Sequence, residues 1–208
     1  MLLLCSTAAT AATYYGFKIG DVKVTSDNYT NVTGDNIIGS VKYDPSTKTV
    51  TLTNVTITLT GSYKRALINE SHDGVLTVEL VGSNTLSAVD AAAVRLNSGT
   101  SMAIYMTDGS TTQIQSTDEE GIWVTSNSNY HLEIGGPGKL YVRSNSKAAI
   151  ASDNSAILLI DGNVYCSGAK GAIDWKHQVA FHNLLSSPCV ARFAATNNSS
   201  YPVIKAGR

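Results

Sequence analysis

Two tyrosines and an arginine in the second half of the chain are spaced as a ligand-binding surface requires. Tyr141 and Tyr165 occupy outward positions of neighbouring repeats, after Ser87 and Gln115 in the same series, and Arg143 lies two residues beyond Tyr141. Tyrosine ring faces pack against the C–H groups of sugar rings, while sugar hydroxyls bond to guanidinium and amide groups. The pattern predicts a flat aromatic strip that binds carbohydrate. The alternative is a purely structural pair, since tyrosine is a favoured strand residue.

Trp123 is a second aromatic candidate for ligand binding. It lies between Ile122 and Val124, in a segment where apolar residues alternate with other types. Because successive strand residues point to opposite faces, this placement predicts that Trp123 points outward. The ligand-binding residues predicted from the sequence are therefore Tyr141, Tyr165, Arg143, Gln115 and Trp123.

Two glutamates support an alternative, catalytic hypothesis. Thr53, Glu79, Tyr105, Glu133 and Leu159 recur at intervals of 26–28 residues and are expected to form one outward column. Glu79 and Glu133 would then lie two repeats apart, about 9–10 Å at the backbone, near the carboxyl separation of inverting glycosidases. Two exposed glutamates can equally be solvated side chains. We therefore assign no catalytic residue and favour a non-enzymatic protein, with a polysaccharide-degrading enzyme as the alternative.

Several other classes of site lack their sequence signals. The four histidines show no metal-ligand spacing, and no loop has the alternating acidic positions of a calcium site. The turn at residues 135–138 lacks the following helix of a phosphate-binding loop. With a net charge of −1 and only 15% charged residues, the chain has no basic stripe for nucleic acid. We expect no metal, no cofactor and no nucleic-acid partner.

The elements that position these residues follow from periodicity at two scales. Apolar residues alternate along short segments, and the segments themselves recur every 24–28 residues. This repeat predicts an all-β, single-stranded, right-handed parallel β-helix (a solenoid) of about five coils. An antiparallel β-sandwich is the alternative, although nothing in a sandwich demands such a repeat. The three recurring series are Leu52, Val78, Ile104, Leu132 and Leu158; Leu86, Ile114, Leu140 and Val164; and Ile68, Leu96, Val124, Ile150 and Ile173.

The composition and the limits of the repeat give the domain organisation. Ser, Thr and Asn account for 60 of the 208 residues, which suits short strands joined by polar turns rather than long helices. We expect coils over residues 49–176 and an N-terminal cap over residues 14–48. Residues 177–208 are expected to form a C-terminal cap or to begin a further segment.

The N-terminus predicts export. Residues 1–13 have the apolar and small residues of the end of a signal peptide, so we expect a secreted or cell-surface protein. Attachment as a lipoprotein through Cys5 is an alternative, although Leu4 departs from the small residue expected there. No later stretch has the roughly 20 apolar residues of a membrane span. Cys166 and Cys189 are expected either to pair or to be small core residues.

The opening of the chain resembles a family of secreted proteins. Residues 15–25 and 39–52, the latter including Val41-Lys42-Tyr43-Asp44-Pro45-Ser46-Thr47, are similar to the start of mostly uncharacterised β-helix proteins of gut bacteria. The resemblance extends over most of residues 14–176. It implies a pectate-lyase-like, right-handed β-helix on a bacterial surface, and it transfers no catalytic residues.

These observations lead to an expected partner class. We expect a polysaccharide or host glycan to be recognised through exposed aromatic residues. A structural stalk or adhesin module that binds protein is a further alternative. The sequence predicts no oligomeric state.

Overall fold

The structure is a computed structural model that describes residues 11–176, 179–181 and 191–195, and its regular elements there are all β-strands. In chain order the strands are β1 (Tyr14–Ile19), β2 (Val22–Thr25), β3 (Ile37–Asp44), β4 (Thr49–Leu59), β5 (Leu67–Asn69), β6 (Val75–Val81), β7 (Ser83–Ala88), β8 (Val94–Leu96), β9 (Ser101–Met106), β10 (Thr111–Ser116), β11 (Ile122–Val124), β12 (His131–Ser144), β13 (Ile150–Ser152), β14 (Ile157–Gly168), β15 (Ile173–Asp174), β16 (Val179–Phe181) and β17 (Ala191–Ala195).

The strands from β4 onward stack as three parallel ladders, which we call the first, second and third faces. The first face contains the early part of β4, then β6, β9, the early parts of β12 and β14, and β16. The second contains the later part of β4, then β7, β10, the later parts of β12 and β14, and β17. The third contains β5, β8, β11, β13 and β15, which span four turns. The predicted all-β parallel solenoid is confirmed.

The register between coils differs from the predicted one. On the first face Ile104 pairs with Ile134 rather than with Leu132. The same two-residue offset separates the predicted and observed pairings of β4 with β6 and of β10 with β12. A shift of two residues keeps every side chain on the same side of a strand, so the inward set is unchanged. On the third face the error is one residue at Ile68, which points outward beside Arg95, and two residues at Ile150, which pairs with Ile122 rather than with Val124.

The inward side chains form one continuous core along the solenoid. Leu76, Met102, Leu132 and Leu158 stand in register in successive coils, and all four have no exposed surface. Burial of each such side chain contributes roughly 1.5–3 kcal/mol. Stacking therefore stabilises coils that could not bury their apolar residues alone.

A glycine allows β12 to pass from the first face to the second. Gly136 has a φ of 104°, a conformation that residues with a side chain rarely adopt. A Cβ atom at this position would also collide with the backbone of Met106 in the preceding coil. The bend that separates the two faces therefore requires glycine here.

A serine in the turn from the second to the third face joins one coil to the previous one. The Ser144 hydroxyl donates to the Glu119 carbonyl oxygen at 2.6 Å and accepts from the Lys147 N–H at 2.8 Å. Ser116, in register with Ser144, bonds in the same way to the Ala91 carbonyl and the Glu119 N–H. These buried hydroxyls satisfy turn groups that the strand ladders leave unpaired.

Antiparallel strands cover the edge of the first coil. β1 pairs with β5, β2 pairs with β1, and β3 pairs with β4. An uncovered edge would present unpaired N–H and C=O groups to other chains. Beneath these strands Phe17 packs edge-on against Tyr43, and the Tyr43 hydroxyl lies 2.8 Å from Nε2 of the buried His72.

Several sequence predictions concern residues outside the described part of the chain. They include the signal-peptide features of residues 1–10, most of the segment 177–208, and Cys189. Cys166 is a free thiol in the core, and burial raises its pKa to about 12. The described residues contain no helix long and apolar enough to cross a membrane.

Candidate ligand-binding surface

The predicted binding residues of the second face stand in two neighbouring rows that run across the coils. The tyrosine row contains Thr85, Gln113, Tyr141 and Tyr165. The arginine row, two residues further along each strand, contains Ser87, Gln115, Arg143 and Ser167. Gln115 therefore lies beside Arg143, and not beside Tyr141 as the predicted series required.

Strand alternation places these side chains on the outside. Leu140 and Val142 point into the core and are at most 1% exposed, whereas Tyr141 between them is 39% exposed. Gln113, in the preceding coil, is also exposed. Since inward aliphatic residues fix the orientation of each strand, the outward rows are held on a rigid sheet.

Tyr141 and Tyr165 are neighbours, as predicted, but they do not form a flat strip. Their ring centroids are 4.7 Å apart and the ring planes meet at only 13°. The rings therefore stack face to face along the solenoid, because the separation of the centroids matches the spacing of the coils. Each ring covers one face of the other. The remaining face of Tyr141 looks along its row toward Gln113.

Two adjoining depressions lie in front of these rows. The larger has a volume of about 280 Å³ and is lined by Gln113, Ile114, Gln115, Tyr141 and Arg143. The smaller has a volume of about 150 Å³ and is lined by Gln115, Ser116, Thr117, Arg143 and Asn145. Gln115 and Arg143 belong to both depressions, so they form the wall between them.

Hydrogen-bonding groups in these depressions are available for a ligand. No carboxylate of the described residues lies within 4.0 Å of the guanidinium nitrogens of Arg143. Within this part of the chain, the Gln115 side chain makes one hydrogen bond, in which Nε2 donates to the Ser87 hydroxyl at 3.4 Å. A guanidinium supplies up to five donors, and each amide supplies both donors and an acceptor. The surface thus combines an aromatic face with several polar groups.

Trp123 lies on another face and is partly covered. It projects from β11 between Ile122 and Val124, both of which have no exposed surface. The guanidinium carbon of Arg95 lies 4.3 Å from the Trp123 ring centroid. This cation–π contact occupies one side of the indole. The structure therefore does not bring Trp123 together with the tyrosine row.

Glu79 and Glu133 do not share a column, so the predicted column is wrong. Glu79 pairs with Tyr105, and Tyr105 pairs with Gly135, two residues beyond Glu133. Two coils and two residues separate the glutamate backbones by roughly 12 Å, further than the same-column prediction of about 9–10 Å. Among the described residues, no group of three or more His, Cys, Asp or Glu side chains could hold a metal ion.

A larger groove, which sequence reasoning missed, lies between the cap and the first face. This cap groove has a volume of about 600 Å³ and is lined by Thr30, Lys42, Tyr43, Asp44, Thr47, Thr49, Thr51 and Glu79. It forms because β3 folds back along β4, so that Lys42 pairs with Thr51. The turn Tyr43-Asp44-Pro45-Ser46 is the sequence signal that could have indicated this pairing.

The chain was compared with models of protein families, with curated proteins and with solved structures, and none of the three comparisons gave a match.

Proposed function

We propose that the protein is a non-enzymatic, secreted or cell-surface solenoid that binds carbohydrate on its second face. The observation that carries this proposal is the exposure of Tyr141, 39% of its surface, beside a depression lined by Gln113, Gln115 and Arg143. A sugar ring would pack its C–H groups on Tyr141, and its hydroxyls would bond to the two amides and the guanidinium.

Rigidity favours recognition by this surface. The rows stand on parallel strands whose inward residues are fully packed, so few groups need to be ordered when a ligand binds. Affinity then depends less on the conformational entropy that a mobile binding loop would lose. The surface is shallow, which suits one side of an extended polymer better than a small molecule that needs enclosure.

The composition of the second face favours binding over catalysis. The residues that line its two depressions include no carboxylate, histidine or cysteine. Glycoside hydrolysis needs a proton donor and a base or nucleophile at the scissile bond. We therefore expect a bound polysaccharide to remain intact.

Affinity gel electrophoresis tests the proposal. Wild-type protein is run in gels that contain plant or host polysaccharides, with and without calcium, and retardation by at least one polymer is expected. Tyr141→Ala should weaken that retention about tenfold, equivalent to about 1.4 kcal/mol, because the stacking face is lost. The polymer should show no new reducing ends or unsaturated products.

A matched tyrosine supplies the control. Tyr63 is 80% exposed and lies outside the second face, so Tyr63→Ala should be retarded like the wild type. If no polymer retards the wild type, or if Tyr141→Ala and Tyr63→Ala behave alike, carbohydrate binding by the second face is wrong. A scaffold or a protein-binding stalk would then be the better hypothesis.

A further inference from the structure

The cap groove has a hydroxyl-lined floor between two charged walls. Thr49 and Thr51 of β4 form the floor. Lys42 pairs with Thr51 on one side, and Glu79 pairs with it on the other. Lys42, Thr51 and Glu79 therefore form a row across three adjacent strands. The backbones of Lys42 and Glu79 are separated by roughly 10 Å.

Much of the hydrogen-bonding capacity of the groove is left for a ligand. The Thr51 hydroxyl donates to Oε2 of Glu79 at 3.0 Å, and no other side-chain hydrogen bond of Glu79 occurs among the described residues. Lys42, which is exposed, has no carboxylate of those residues within 4.0 Å. The groove thus offers an ammonium group that donates hydrogen bonds, a carboxylate that accepts them and hydroxyls that do both.

The charges of the groove argue against an acidic ligand. Asp44 and Glu79 place two carboxylates on the lining, and Lys42 places one ammonium there. Hydrogen bonds from Ser46 lower the pKa of Asp44, so its carboxylate keeps its charge in mildly acidic solution. An acidic polymer would meet two like charges, and an apolar ligand would cover hydroxyls without replacing their bonds to water.

An aromatic platform continues the same row. Tyr105 stands one coil beyond Glu79 and is 46% exposed. On its other side the row continues with Gly135, which has no side chain to cover the ring. A ring face bordered by glycine and a carboxylate suits a sugar residue that stacks and donates hydroxyls.

We infer that the cap groove and Tyr105 form a second carbohydrate-binding site, specific for an uncharged oligosaccharide. Its volume of about 600 Å³ falls within the range of about 300–1,000 Å³ typical of ligand clefts. The inference shares a ligand class with the proposed function but uses none of the residues of the second face. Each site can therefore exist without the other.

Isothermal titration calorimetry with cellohexaose, xylohexaose, mannohexaose and maltohexaose tests this site. We expect at least one of these neutral oligosaccharides to bind the wild type. Thr51→Val combined with Glu79→Gln should weaken that binding at least tenfold, because a donor and a charged acceptor are lost. Because Tyr141 belongs to the second face, the oligosaccharide binding that Tyr141→Ala retains is assigned to the cap groove, and the double substitution should weaken it at least tenfold.

Two controls separate this inference from misfolding and from the second face. Thr60→Val replaces an exposed threonine just beyond β4, outside both sites, and should bind like the wild type. All variants should keep the wild-type melting temperature. The inference is overturned if no neutral oligosaccharide binds, if the double variant binds like the wild type, or if Tyr141→Ala alone abolishes binding. Polysaccharide retention of Tyr141→Ala remains a separate test of carbohydrate binding by the second face.

Discussion

Beneath the cap, His72 is held against the Tyr43 hydroxyl at 2.8 Å with only 5% of its surface exposed. Burial lowers the pKa of His72, and the charge of Lys48 lowers it further. The hydrogen bond with the Gly74 backbone and the charge of Asp73 raise the pKa, but the net shift is downward. The folded protein therefore keeps His72 neutral at a pH where the unfolded chain already binds a proton. We therefore expect that protonation of His72 in acid destabilises the packing beneath the cap.

The pH dependence of stability follows from that shift. The contribution of His72 is complete above its unfolded pKa of about 6.5 and is lost as the pH falls below it, by at most about 1.4 kcal/mol per pH unit. Urea denaturation from about pH 7.5 to about pH 5 should show a smaller loss of stability in His72→Gln than in the wild type. Equal losses in the two proteins would rule out His72 as the source.

Tyr141 shows which features of a residue its sequence position predicts. Alternation with Leu140 and Val142 indicates that its side chain points outward, and the recurring spacing indicates that Tyr165 is its neighbour. The side-chain torsions that stack the rings at 4.7 Å depend on local packing, which periodicity does not report. The prediction of a flat strip was therefore wrong, although the predicted pairing of Tyr141 with Tyr165 was right.

At the scale of elements, the serine turns join successive coils more specifically than the apolar core does. Ser144→Ala leaves the Glu119 carbonyl and the Lys147 N–H without their partner. Each of these two part-buried hydrogen bonds contributes about 0.5–1.5 kcal/mol, so the loss of both costs about 1–3 kcal/mol. We expect this decrease in the free energy of unfolding, measured by urea denaturation with an unchanged m-value.

The neighbouring Ser146 gives a matched control, since it is exposed in the same turn. Ser146→Ala should change the free energy of unfolding by no more than about 0.5 kcal/mol. Equal destabilisation by the two substitutions would mean that the Ser144 hydroxyl does not secure the turn.

Strand existence was predictable from the sequence, and so was strand orientation except at Ile68, whereas register was not. The inward residues of the first face are nearly all aliphatic, so a shift of two residues exchanges one apolar neighbour for another. Turn length decides between the two pairings, and Ile104 and Ile134 are 30 residues apart because the intervening turns are longer. That same uncertainty produced the false column of Glu79 and Glu133. The cap groove depends on antiparallel pairing of β3 with β4, which the parallel repeat does not indicate.

At the scale of the whole molecule, the two proposed sites lie on different faces of the solenoid and differ in charge. The second face carries Arg143, whereas the cap groove carries Asp44 and Glu79 beside Lys42. Two sites that engage one polymer can raise its apparent affinity above that of either site, without any new contact. A long glycan should therefore be retained more strongly than short fragments of it.

Retention of a combined variant by polysaccharide gels tests carbohydrate binding most directly. Tyr141→Ala is combined with Thr51→Val and Glu79→Gln, and the protein is run beside the wild type and the two single-site variants. The wild type should be retarded most, each single-site variant less, and the combined variant should migrate as it does without polymer. A wild type that migrates freely in every gel, or a combined variant retarded like the wild type, would contradict carbohydrate recognition by these surfaces.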